Sequence, residues 1–304
     1  MLTQPLQGAP AHPPPESDPA MIRPDARWQP SPAIRAWLLT VSPKTRLQTI
    51  LSHRCLGGDE RWPPAAIPLS AMQMSATGGY QYQSAIAHPV AAAQGQPVLT
   101  VAHAIAQHLT TRERAIPDSI ATGLVAQVLP TGNLELTLAP VGVAAWWQQC
   151  GQGGWPDAPP AIGIKDGPPP RPGQWPLGDR LHLSLPMLMQ WAYRCCGKWS
   201  LGPPTITEPS PLQSTQQLDP LTAVLQPVLI QCWDQLAAQP LAVNRWQQSG
   251  YELAQAIYQL EAQRSHWSPR LSSCPEAAMT RAITQTFLAL LLQVLTGAPP
   301  QSDL

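Results

Sequence analysis

Val128-Leu129-Pro130-Thr131-Gly132-Asn133-Leu134-Glu135-Leu136-Thr137-Leu138 carries the clearest strand pattern in the sequence. Leu134, Leu136 and Leu138 alternate with Asn133, Glu135 and Thr137, a period of two that buries one face of a strand. The run from Leu124 to Leu129 is apolar as well, and Pro130-Thr131-Gly132 between them has the residue types of a hairpin turn. A pair of adjacent strands is therefore expected here.

Helical spacing surrounds this hairpin. Ser31-Pro32 has the form of an N-cap followed by proline in the first turn, with Ile34, Trp37, Leu38 and Val41 behind it. Ser42-Pro43 repeats the signal ahead of Leu47, Ile50 and Leu51. After a Pro/Gly-rich stretch from Gly57 to Gly79, a stripe of Tyr82, Ala85, Ile86, Val90 and Ala93 predicts a helix kinked at Pro89. A second stripe, capped by Thr100, runs through Val101, Ile105 and Leu109, and Val141 to Gln149 returns to helix beyond the hairpin. Residues 31–150 thus read as an α+β domain, with helices on a small antiparallel sheet.

Two segments read differently. Residues 1–30 are dense in proline and poor in aliphatic side chains, so they are expected to be a disordered arm. Residues 151–179 combine prolines and glycines in the manner of a linker. From Ser184 onward every periodic pattern is helical. Leu185, Leu188, Met189, Ala192 and Cys195 make one stripe, and a second Pro-rich break covers 202–211. Asp219-Pro220 opens a helix that carries Leu221, Leu225, Leu229, Cys232 and Leu236, with a kink expected at Pro227. Leu253, Ile257 and Leu260 mark another. Ser273-Cys274-Pro275-Glu276 fits a capping box ahead of Met279, Ile283, Phe287, Leu291 and Val294, and Gly297 stops that helix. Residues 180–304 are expected to form an all-α helical bundle.

Composition narrows the function. The chain has 304 residues and equal numbers of basic and acidic side chains, 18 of each, which argues against strong non-specific nucleic-acid binding. Charge is unevenly spread: residues 33–150 hold seven basic against five acidic side chains, and residues 180–304 hold seven of each. The six cysteines include no Cys-x-x-Cys pair and read as free thiols of a reducing compartment. The N-terminus has no secretory pattern, and the most apolar segment, Phe287 to Leu295, falls short of the ~20 residues of a membrane span. A cytoplasmic protein without membrane contact is expected.

Catalytic patterns are absent from the sequence. It has no phosphate-binding Gly-rich loop, no Gly-x-Ser-x-Gly and no His-Glu-x-x-His. His103 and His108 share a helical pattern, but their spacing of five turns them apart, so no metal and no cofactor is expected. Twelve tryptophans against one phenylalanine is an unusual ratio, and most of those in helical patterns are expected in the core. Arg35, Lys44, Arg46 and Arg54 could form a modest phosphate-contacting face on the N-terminal helices.

A family resemblance joins these readings. Tyr82–Ala87, Val101–Leu109 and Val128–Leu138 resemble the N-terminal domain of arginyl-tRNA synthetases, where Ala/Ile-rich helices precede a strand-turn-strand. Gly132 matches that family's turn glycine, while Asn133 stands where it has Phe and Glu135 where it has Asn. Gln190–Cys196, Leu253–Leu260 and the helix bearing Thr284, Leu288, Ala289, Leu292 and Leu295 are similar to its DALR anticodon-binding domain. In the family a Rossmann-like catalytic domain lies between these pieces. Here only the segment 151–179 does, which is too short for a parallel sheet with crossover helices. The resemblance implies a non-catalytic binder of tRNA or other structured RNA, with Trp191, Arg194 and Tyr251 as contact residues of the helical domain. The alternative is a protein-interaction module that kept these folds and lost RNA binding. Assistance to a synthetase in trans is a further, residual possibility.

Overall fold

The computed structural model describes residues 29–74, 79–111, 119–121, 123–152, 154–156, 177, 181, 183–199, 219–271 and 274–301. The proline-rich arm before residue 29, the break at 202–211 and most of 151–179 lie outside them.

The first helices among the described residues are α1 (Pro32–Val41) and α2 (Pro43–Ile50). Ser31 caps α1 by accepting from the Ile34 amide at 3.3 Å. Ser42 ends α1 and starts α2, accepting from the Thr45 amide at 3.1 Å. Proline directly after each serine suits a first-turn position where no backbone N–H is needed. A π-helical turn, Leu51–Cys55, extends α2.

Two strands follow where the sequence reading had none. β1 (Leu69–Met74) lies in the Pro/Gly-rich stretch, and β2 (Tyr80–Ser84) contains Tyr82, which the 3.6-residue spacing had assigned to a helix. The helix starts later, as α3 (Ala87–Gln94), so Pro89 sits in its first turn instead of kinking it. α4 (Val98–Thr111) begins ahead of Thr100, which is therefore inside the helix and not its cap.

The expected hairpin forms. β3 (Val125–Val128) and β4 (Leu134–Leu138) pair antiparallel, with Val128 opposite Leu134 and Gly132 in the turn at φ +83°. All strands among the described residues belong to one antiparallel sheet of order β1-β2-β4-β3. β2 and β4 are the inner pair, and Tyr82 lies opposite Leu136. The alternation seen in the sequence becomes burial: Leu134, Leu136 and Leu138 are inside with Tyr80, Tyr82 and Ser84, while Gln81, Gln83, Glu135 and Thr137 are half-buried. The result is an α+β fold.

α5 (Pro140–Gln152) leads out of the sheet. The remaining helices are α6 (Leu185–Lys198), α7 (Pro220–Ala238), α8 (Val243–Ala262), α9 (Arg264–Leu271) and α10 (Pro275–Thr296). Asp219 caps α7, accepting from Thr222 N at 2.8 Å, and the helix runs on through Pro227. At α10 the N-cap position is Cys274, which makes no side-chain cap bond, and Ser273 lies outside the described residues. Gly297 ends α10 in the left-handed region at φ +77°. With 22 residues, α10 is longer than the apolar segment the sequence suggested. By length and composition alone it could cross a membrane, yet 67% of its most apolar window is buried inside the protein.

Sequence reading separated the chain into two modules on a tether. The buried side chains instead form one continuous cluster that runs from the sheet into α6, α7, α8 and α10. Tryptophans occupy the junction, as expected for core residues. The Trp233 ring of α7 lies 5.9 Å from Trp146 and 5.6 Å from Trp147 of α5, and 6.2 Å from Trp37 of α1. Phe287 of α10 closes the group at 5.9 Å. Edge-on and tilted pairs at these separations suit the charge distribution of aromatic rings. Described parts of the expected linker join in: Trp155 packs 4.8 Å from Trp37, and Leu177 is buried.

Candidate functional site: a cleft between the sheet and two helices

Asp234 is a carboxylate on the apolar helix α7, pressed against the N-terminal half. Ser42 Oγ donates to its Oδ1 at 2.7 Å, Lys44 N donates to the same oxygen at 3.1 Å, and Tyr82 OH donates to Oδ2 at 3.0 Å. Three donors from the first half of the chain thus satisfy an acid from the second. Burial disfavours the charged form and pushes the Asp234 carboxyl up to about 6, against the pull of those hydrogen bonds and of the Lys44 charge. The Tyr82 hydroxyl is pushed well above its ordinary value, first by burial and then by the neighbouring carboxylate.

Beside this buried node a cleft of about 420 Å³ opens between the sheet and helices α7 and α8. Tyr80, Gln81 and Tyr82 form its sheet wall, Gln231, Gln235 and Gln239 of the α7 region form another, and Lys44 and Arg245 bring positive charge. Arg245 is oriented by glutamines, through Nε to Gln239 at 3.1 Å and Nη1 to Gln248 at 3.1 Å, so no carboxylate cancels it in these bonds. Tyr80 is only 7% exposed and its hydroxyl has no hydrogen-bond partner, nor has the buried Oε1 of Gln235. Such groups are rare in folded proteins and call for an explanation.

A second hollow of about 440 Å³ is lined by Trp37, Leu39, Val41, Arg46, Ile50 and Cys150. Lys44 and Arg46 therefore face different depressions. Arg46 Nη1 donates to Gln149 of α5 at 3.4 Å, and Arg35 Nη2 donates to Gln29 at 3.2 Å. The expected basic face from Arg35 to Arg54 is thus divided, and the side chain of Arg54 lies outside the described residues.

The aromatic candidates also separate. Tyr251 is buried and its hydroxyl accepts from Leu177 N at 3.2 Å, so it faces inward and is corrected from contact residue to core. Trp191 is half-buried on α6, with its ring 5.9 Å from Tyr258 of α8, which is 37% exposed. Arg194 follows one turn later on the same helix, half-buried, with its Nε and Nη2 buried and without a hydrogen-bond partner. Tyr258 was not among the residues singled out from the sequence; its spacing of one residue beyond the buried Ile257 was the available signal.

One group with metal-ligand chemistry occurs among the described residues. Asp219, Cys274 and Glu276 bring their ligand atoms within 4.8 Å of one another. The thiol lies 3.9 Å from each carboxylate, and burial with the two nearby acids raises its pKa, so it is held as a protonated donor. The N-termini of α7 and α10 meet here, an environment that favours anions.

No protein-family model, curated protein or solved structure matches this chain.

Proposed function

We propose that this protein is a non-catalytic RNA-binding relative of the two flanking domains of arginyl-tRNA synthetases. The observation that carries the reading is the surface formed by Trp191, Tyr258 and Arg194. Two aromatic rings that reach the surface side by side can stack on unpaired bases. A guanidinium one turn away, half-buried on the same helix, adds a positive charge beside them. Contact through a few such groups is compatible with a neutral chain.

Titration of the full chain with unfractionated tRNA at low and at moderate salt tests this. Binding that weakens with salt and falls about tenfold in Trp191→Ala and in Arg194→Ala is expected. Absence of any tRNA binding at low salt would remove the proposal.

A second reading, a protein-interaction module that has lost RNA binding, is favoured by one observation. Leu39 is 51% exposed at the rim of the hollow that contains Trp37, Val41 and Ile50. Purification with and without nuclease separates the readings. One stoichiometric protein partner and no RNA would select the second.

A further inference from the structure

We propose that the cleft between the sheet and helices α7 and α8 is a binding site for a phosphate monoester of nucleoside size. The proposal does not depend on the Trp191 surface, because Trp191, Arg194 and Tyr258 do not line the cleft.

Its volume, about 420 Å³, is within the range of pockets that enclose small organic ligands. The lining sets the chemistry. Lys44 supplies a compact ammonium and Arg245 a planar fork of donors, and they come from opposite halves of the chain. A phosphate monoester carries close to two negative charges at neutral pH, which two such cations match. Asp234 is the carboxylate on the cleft wall, and both of its oxygens are taken by Ser42, Lys44 N and Tyr82, so they are turned away from a ligand.

The rest of the wall is polar in a way that suits a body with hydroxyl and amide-like groups. Gln81, Gln231, Gln235 and Gln239 each offer both donors and acceptors. Tyr80 provides the second, independent sign of a ligand. It is only 7% exposed, it lines the cleft, and its buried hydroxyl meets no protein partner. Gln235 Oε1 is in the same condition. Two buried polar atoms left unsatisfied, one on the sheet wall and one on the α7 wall, are explained together when a polar ligand supplies the missing bonds. Structure alone would not favour them, because phenylalanine at 80 would fill the same space without a stranded hydroxyl.

The four nucleoside 5′-monophosphates, each titrated separately into the full chain, test the proposal, with the matching nucleoside as control. At least one monophosphate should bind below about 1 mM and raise Tm, and its nucleoside should bind at least about tenfold more weakly. Lys44→Ala and Arg245→Ala should each weaken the monophosphate by about tenfold. Tyr80→Phe should leave the Tm of the unliganded protein unchanged or higher while weakening the ligand, a combination that a purely structural role does not produce. An oligoribonucleotide with a 5′-phosphate, compared with the same strand ending in a 5′-hydroxyl, then identifies the source. Competition by the phosphorylated strand alone marks an RNA end as the ligand, and no competition by either marks a free nucleotide. Failure of all four monophosphates to bind, or binding that survives in the Lys44→Ala/Arg245→Ala double variant, would overturn the proposal, whatever tRNA does at Trp191.

Discussion

The hydroxyl of Tyr82, on an inner strand, donates to the carboxylate of Asp234 on a helix 152 residues later, a buried hydrogen bond of 3.0 Å. Removing that donor leaves a carboxylate oxygen unsatisfied in the interior. Tyr82→Phe is expected to lower unfolding stability by about 1–3 kcal/mol, measured by urea denaturation at pH 7.

The same carboxyl makes stability depend on pH. Burial raises the Asp234 pKa from 3.8 to about 6, so the folded protein holds this proton more tightly than the unfolded chain does. The resulting stabilisation is complete below about pH 4 and is lost as pH rises through about 6. Between those limits it amounts to about 3 kcal/mol. Asp234→Asn cannot titrate and should flatten this part of the stability profile between about pH 4 and 7. A profile unchanged by the substitution would show that another group sets the slope.

Thr280 of α10 is a junction of buried hydrogen bonds. Trp147 Nε1 donates to its Oγ1 at 3.1 Å, and Thr222 Oγ1 lies 2.9 Å from the same atom. Thr280→Val keeps the shape but strands the indole N–H, at a cost of about 1–3 kcal/mol. Thr280→Ser retains the hydroxyl and loses only a methyl group, so it should cost about 1 kcal/mol. Equal losses in the two variants would refute the hydrogen-bonding role.

Gly132 is required by the hairpin for two reasons. Its φ of +83° is a conformation that L side chains rarely adopt, and a Cβ there would run into Val98 Cγ1 of α4. Gly132→Ala should destabilise by about 2–4 kcal/mol, the sum of backbone strain and overpacking. Thermal unfolding followed by circular dichroism measures it.

Thiol reactivity offers a check on burial. Burial pushes Cys55 and Cys150 up to about 12 and Cys195 to about 11, and raises Cys196 and Cys232 further from reach. A disulfide reagent at pH 8 should therefore modify these five slowly in the native protein and all six cysteines at once in guanidinium.

The hairpin was legible because its period is unambiguous: Leu134, Leu136 and Leu138 have no competing helical spacing. The caps at Ser31, Ser42 and Asp219 were legible because a side-chain oxygen followed by proline is a local signal with a local cause. Tyr82 was misread for an equally physical reason. Ala85, Ile86 and Val90 continue a helical stripe from it, and only pairing with Leu136, more than fifty positions away, decides for a strand. β1 was hidden because Leu69 is the buried residue of its described side chains and offers little pattern. The cleft was the hardest part. Lys44 was chosen for its charge, but Tyr80, Gln235 and Arg245 become neighbours of it only through long-range packing that no spacing encodes.

The ring of Trp233 is shared by α1, α5 and α10, so the interior it anchors belongs to neither half of the chain. Severing the polypeptide between residues 157 and 176 would not release two self-sufficient pieces. The fragments, mixed together, should complement one another into a non-covalent heterodimer, and each alone should expose the tryptophans that the other was built to cover.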